Sequence, residues 1–179
     1  MKNIKPRFYG IVSKQQLVDT ACVVTEIIPG AKPIATFYQL LETASAETRL
    51  GEYRDPTPDG AGRGVCQTDL GTFDWLKEKF KGSKIEKDLM AFLGINLQRV
   101  AHDDLDYNPL LSMIFCRLRY CAVTAPIPET VQGRALYWKQ HYNSYAKNAK
   151  GTPEDYLSKV SADLPTLNLT GALSCLQSR

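Results

Sequence analysis

The run PIATFYQLLETASAETRL, residues 33–50, followed at once by GEYRDPTPDGAGRG, residues 51–64, decides the reading of the fold. In the first, Ile34, Phe37, Leu41 and Ala44 recur at spacings of three and four behind Pro33. Proline suits the first turn of a helix, so the pattern predicts a helix from about Pro33 to Leu50. In the second, four glycines, two prolines and three acidic residues leave almost nothing apolar, which excludes helix and favours a loop or β-hairpin, with Val65 and Gln67 closing a short strand. Glycines 60, 62 and 64 supply the positive φ that a hairpin can need. Leu40, Ala44 and Glu47 share one side of the helix, beside its apolar stripe, so the Glu47 carboxyl emerges at the edge of the core, just before the chain enters the polar hairpin.

Outward from this junction the pattern is helical. Ser13 is a candidate N-cap for a helix through Leu17, Cys22, Val23 and Ile27, ending before Pro29-Gly30. Downstream, Asp69 or Thr72 can cap a helix containing Phe73, Leu76 and Phe80, and Gly82-Ser83 opens another that stops at Gly94. Pro109 to Cys121 is apolar on nearly every face and reads as the central buried helix. A helix from about Val131 to Ala146 and a short one opened by Thr152-Pro153-Glu154-Asp155 follow. Trp75 and Trp138 are expected in the core. The fold class is mainly α (α+β), about seven helices with one small β-hairpin: one domain over residues 1–163 and an unpatterned C-terminal tail over 164–179.

With 179 residues, 44% of them hydrophobic, the chain can enclose one core, and a net charge of +3 from 22 basic and 19 acidic residues lacks the concentrated basicity of a dedicated nucleic-acid binder. It suits weak, salt-screened attraction to an anionic polymer such as a bacterial cell wall. Five cysteines without a CxxC pair and two histidines without metal-ligand spacing predict free thiols and no zinc, metal or cofactor. His102, His141 and the cysteines form no recognisable nucleophile–base partnership. MKNIKPRFYG lacks the apolar region of a signal peptide, and no stretch approaches the roughly eighteen apolar residues of a spanning helix, so no membrane partner is expected.

Glycosidic bonds break when a carboxylic acid with a raised pKa protonates the leaving oxygen, and partial burial at a core edge raises a pKa. Glu47 is placed for that chemistry. Glu47-Thr48, then Gly64-Val65-Cys66-Gln67, resemble lysozyme-superfamily patterns in which a catalytic Glu followed by Ser or Thr precedes a glycine-bearing strand ending in Gln. Gly62 to Gln67 is also similar to the GRG-x-x-Q segment of plant-type chitinases and related phage endolysins. DLDYNPLLSMIFCRLRYC resembles a soluble lytic transglycosylase segment in which an Asn-Pro loop leads into a buried helix, and Tyr142-Asn143 resembles the late Tyr-Asn pair of those enzymes. GRALYWKQHYNSYAKNAKGTPEDYL is similar to small bacteriophage tail or lysis proteins. The resemblance spans roughly residues 35 to 157 and rests on the joint order of short motifs.

The resemblance implies a lysozyme-like fold and a peptidoglycan hydrolase, muramidase or lytic transglycosylase, that cleaves the bond between N-acetylmuramic acid and N-acetylglucosamine. Its partners would be glycan strands and phage tail proteins. Its place would be a phage tail, or the host cytoplasm before release to the periplasm as an endolysin. Glu47 would be the general acid, Gln67 a hydrogen-bonder on the cleft wall, and Tyr142 and Asn143 groups near the scissile sugar. Phage lysozymes carry an Asp after the Glu in a Tyr-basic-Asp run, which points to Asp55; Asp55-Pro56 also suits a turn, and Glu52 and Asp59 are the other carboxylates in reach. The hairpin Thr of those lysozymes has no match between Gly60 and Gly64. A lysozyme-fold virion protein with little activity and a chitinase-like glycosidase are the alternatives.

Overall fold

A computed structural model describes residues 6–56, 62–144 and 150–178. The fold is mainly helical: among the described residues there are eight α-helices and one two-stranded antiparallel sheet. The helices are α1 (Lys14–Ile27), α2 (Pro33–Thr48), α3 (Leu70–Phe80), α4 (Lys84–Leu93), α5 (Pro109–Cys121), α6 (Val131–His141), α7 (Pro153–Asp163) and α8 (Thr170–Gln177). The strands β1 (Gly62–Arg63) and β2 (Thr68–Asp69) lie between α2 and α3. Local signals set most boundaries. Ser13, Asp69, Ser83 and Thr152 each accept a hydrogen bond from the first turn of their helix, and Gly94 ends α4 in the left-handed conformation.

Some boundaries differ from the sequence reading. Val65 and Gln67 form the hairpin turn rather than its closing strand, which begins at Thr68 paired with Arg63. Helix α6 ends at His141, and Tyr142 and Asn143 turn back on it, both donating backbone N–H bonds to Trp138. The expected end at Ala146 lies outside the described residues. The stretch from Leu164 is no unpatterned tail: a short 3-10 turn leads into α8, whose Leu176 is buried against the core. Its pattern escapes a local reading because no side chain caps it and the helix is only eight residues long.

Helix α1 packs on both α2 and α5, while α7 bridges α2 and α6. Helix α5 is buried as expected, at ten of its thirteen positions, but α2 is enclosed as fully, at twelve of sixteen. Six of those twelve are more than apolar filling: Thr36, Gln39, Glu42, Thr43, Ser45 and Thr48 are polar and buried. Desolvating such groups is tolerable only with partners. Glu42 receives both Nε and Nη2 of Arg134, at 2.8 and 2.6 Å, and the hydroxyl of Tyr156 at 2.8 Å. Arg134 also lies over the Tyr38 ring, 5.2 Å from its centroid. Ser45 donates to Asp163 at 2.7 Å, and Thr43 shares a 2.8 Å bond with Tyr120. These bonds fasten α5, α6 and α7 around α2.

Because Glu42 and Arg134 are only 1% and 6% exposed, removing one partner strands a charge in the core. Arg134→Met is expected to cost about 3–5 kcal/mol in urea unfolding, and adding Glu42→Gln should recover a large part of the loss. A loss below about 1 kcal/mol for the single variant would contradict the role given to the pair.

Candidate active site

The end of α2 is built under constraint. Arg49, Leu50 and Gly51 follow Thr48 at φ of 53°, 57° and 79°, the left-handed region that costs a side-chain-bearing residue about 1–2 kcal/mol. Three contacts hold it there. Arg49 clasps Asp163 at 2.8 and 2.7 Å, Leu50 donates to Ala44 O at 3.1 Å, and Gly51 donates to the Thr48 hydroxyl at 3.1 Å. Burial alone would raise the Asp163 pKa, but the bonds from Arg49 and Ser45 carry it below the ordinary value. Thr48 in turn donates to Val65 O at 2.8 Å, locking the helix end to the hairpin turn.

The hairpin is fixed from its other side. Arg63 pairs with Asp106 at 3.0 Å, Gly64 N–H donates to Asp106 at 2.7 Å, Cys66 N–H to Ser112 at 3.1 Å, and His102 meets Thr68 O at 2.8 Å. Gly64 stands at φ 74°, and a Cβ there would lie 2.4 Å from the Ser112 hydroxyl and 2.7 Å from Leu105 O, so glycine is required for conformation and for space. Gly62 is needed for space alone, against the backbone of Gln67, and Gly60 lies outside the described residues.

Glu47 sits on the last turn of α2, half-buried, between these fastenings. Burial pushes its pKa from 4.5 up to about 7. The indole N–H of Trp138 opposes the rise by donating to Oε1 at 3.0 Å, and the positive charge of Lys159 opposes it further, whereas the negative charge of Asp55 adds to it. Lys159 is held over the site by a bond from its ammonium to Ala46 O. The carboxyl is therefore shared between its protonated and ionised forms near neutrality, the condition under which an acid can both give and retake a proton.

Asp55 is half-buried, its backbone N–H donates to the Tyr9 hydroxyl at 3.2 Å, and its charge reaches both Glu47 and Tyr9. Glu52 is turned to α1, where it pairs with Lys14 at 3.0 Å; Asp59 lies outside the described residues. Tyr142 donates to Cys66 O at 2.7 Å and lies 3.4 Å from the Thr68 hydroxyl, tying α6 to the hairpin. Burial raises its pKa, with the fields of Cys116, Cys66 and Glu47 adding to the rise, so it belongs to the same neighbourhood as Glu47. Gln67 spends its amide N–H on Gly64 O at 2.8 Å, within its own turn and at φ 52°. Asn143 is folded onto α6, its Oδ1 accepting from Lys139 at 3.1 Å, and Gly151 passes close against it and the Trp138 ring.

Two residues of this site escaped the sequence reading. Trp138 is core, as its pattern suggests, but its one polar atom points at Glu47; Lys159 lies on a helix that shows no link to the site until α7 folds against α2. The useful signal for Trp138 was chemical: a buried indole N–H needs an acceptor. Trp75 is a correction, since it is 43% exposed rather than core. Lys79 and Arg119 flank its ring at 5.4 and 5.5 Å, and it borders a depression of about 600 Å³ with Asp69, Thr72 and His141.

Because the Trp138 N–H stabilises the carboxylate, Trp138→Phe should move the titration midpoint of Glu47, read from its side-chain carbon resonance, above the value near 7 expected for the native protein. The raised pKa also means that the folded chain binds the Glu47 proton more tightly than the unfolded one. This residue's contribution to stability is then full below pH 4.5 and falls as pH rises to about 7. A native midpoint near 4.5, or one that Trp138→Phe lowers, would contradict the assignment.

No protein-family model, no curated protein and no solved structure matches the chain.

Proposed function

We propose that the chain cleaves the glycosidic bond between N-acetylmuramic acid and N-acetylglucosamine in peptidoglycan, with Glu47 as general acid. The observation that carries this reading is the Glu47 carboxyl itself: half-buried at the last turn of α2, beside a fastened hairpin, with a pKa raised by burial to about 7. The ordered motifs of the sequence, in which Glu47-Thr48 precedes Gly64 to Gln67 and then Tyr142-Asn143, supply the substrate class by resemblance. Protonated Glu47 would donate to the leaving glycosidic oxygen as the C–O bond breaks.

Asp55 is the partner this reading favours, because its charge bears on Glu47 while Glu52 is engaged with Lys14. With a carboxylate across the scissile bond the reaction is a hydrolysis: at about 6.5–9.5 Å from Glu47 it would activate water and invert the anomeric centre, at about 5–5.5 Å it would attack directly and retain it. A lytic transglycosylase needs no such partner, because Glu47 would act as acid and then as base while the muramyl 6-hydroxyl closes an anhydro ring. The setting that fits the resemblance is a bacteriophage, as an endolysin or a tail component. A tail protein with the same fold and little activity is the second reading, favoured by one observation: Gln67, the expected cleft donor, spends its N–H inside the hairpin.

Purified cell walls should lose turbidity with the native protein, while Glu47→Gln lowers the rate by about 10²–10⁴-fold and keeps the fold. New reducing ends without anhydromuramyl products are expected, and Asp55→Asn should also slow the reaction. Anhydro products with full Asp55→Asn activity would move the assignment to a transglycosylase. Turnover of chitin oligomers in preference to walls would move it to a chitinase. Equal activity of native and Glu47→Gln protein, or no cleavage by either, would overturn the role of Glu47.

A further inference from the structure

Away from Glu47, the last helix meets the first through three side chains with no part in the reading above. Cys22 and Glu26 are four residues apart on α1 and so share one face. Cys175, from α8, reaches that face and donates its S–H to Glu26 Oε1 at 3.0 Å. The two sulfurs and a carboxylate oxygen all lie within 4.8 Å of one another. Cys22 and Glu26 are half-buried and Cys175 is exposed, so the group can be reached from solvent. Sequence spacing could not reveal it, because the third side chain comes from the other end of the chain.

We propose that Cys22, Glu26 and Cys175 form a binding site for a thiophilic divalent cation, of which zinc is the type, that pins α8 to α1. Zinc takes thiolates at about 2.3 Å in tetrahedral array, which sets its sulfur ligands about 3.8 Å apart, a spacing compatible with donor atoms that lie within 4.8 Å of one another. Binding releases the two thiol protons to solvent and leaves two thiolates and one carboxylate around a double positive charge, with solvent water as the fourth ligand.

The site also meets a need of the fold. Helix α8 has eight residues, no side-chain cap and one fully buried side chain, Leu176. A helix of that length is marginal by itself, and a cation shared with α1 adds a tether to the packing of Leu176, Ala172 and Leu173 on the core.

The test is titration of the full chain, reduced and stripped of metal, with cobalt(II) as probe. A near-ultraviolet thiolate-to-cobalt band saturating at one equivalent, discharged by zinc, is expected. Cys22→Ser and Cys175→Ser should each abolish it with unchanged far-ultraviolet circular dichroism, and Glu26→Gln should weaken binding. Zinc should raise the Tm of the native protein and leave that of Cys175→Ser unmoved, a readout independent of colour. Absence of the band in the native protein, or its survival in both cysteine variants, would overturn the site. So would a reduced protein that binds no cobalt and instead forms a Cys22–Cys175 disulfide with oxidised glutathione, which would make the pair a redox link.

Discussion

The Glu42–Arg134 ion pair is the constraint around which the rest of the structure is arranged. A helix as fully enclosed as α2 would ordinarily be apolar all round, yet it carries a carboxylate that is 1% exposed. Arg134 answers that charge with a two-pronged contact and Tyr156 with a third bond, so α6 and α7 must both lie against α2, and in one register. Apolar residues of similar volume often replace a buried pair of this kind at no cost in net stability, whereas a packing that separates the two partners strands a charge. That register determines where Trp138, one helical turn beyond Arg134 on α6, points its indole.

From the pair the logic passes along α2 to its end. Trp138 reaches Glu47, Lys159 of α7 reaches the same corner, and Asp163 of α7 clasps Arg49 in its left-handed conformation. Thr48, between the acid and the strained turn, bonds the hairpin at Val65. Helix end, hairpin and the two outer helices therefore converge on one carboxyl group from different directions. Its raised pKa follows from the same packing that encloses α2: burial lifts it, and one indole bond and one ammonium moderate the lift without cancelling it.

What could be read from the sequence was local. Caps at Ser13, Asp69, Ser83 and Thr152, the stop at Gly94, the polar break after Leu50 and the apolar density of α5 each act within a few residues, and each stands where the pattern puts it. The position of Glu47 at the core's edge was legible for the same reason, from helical spacing alone. Its partners were not: Trp138 is 91 residues away and looks like ordinary core, and Arg134 resembles any surface arginine until Glu42 is seen buried opposite it. Helix α8 was missed because tertiary contacts rather than a cap hold it, and Trp75 because an aromatic at helical spacing does not disclose which neighbour fails to cover it. Gln67 was legible as part of the hairpin, but it stands in the turn at positive φ and gives its N–H to Gly64 rather than to a cleft, which its residue type alone does not disclose.

The pH dependence of wall cleavage tests most directly the proposed role of Glu47, half-buried at the end of α2, as the acid that breaks the bond. The rate should fall as pH rises through about 7, where Glu47 loses its proton, and in Trp138→Phe that descending limb should move to higher pH. A limb that stays in place in Trp138→Phe, or a rate that climbs through pH 7 in the native protein, would contradict it.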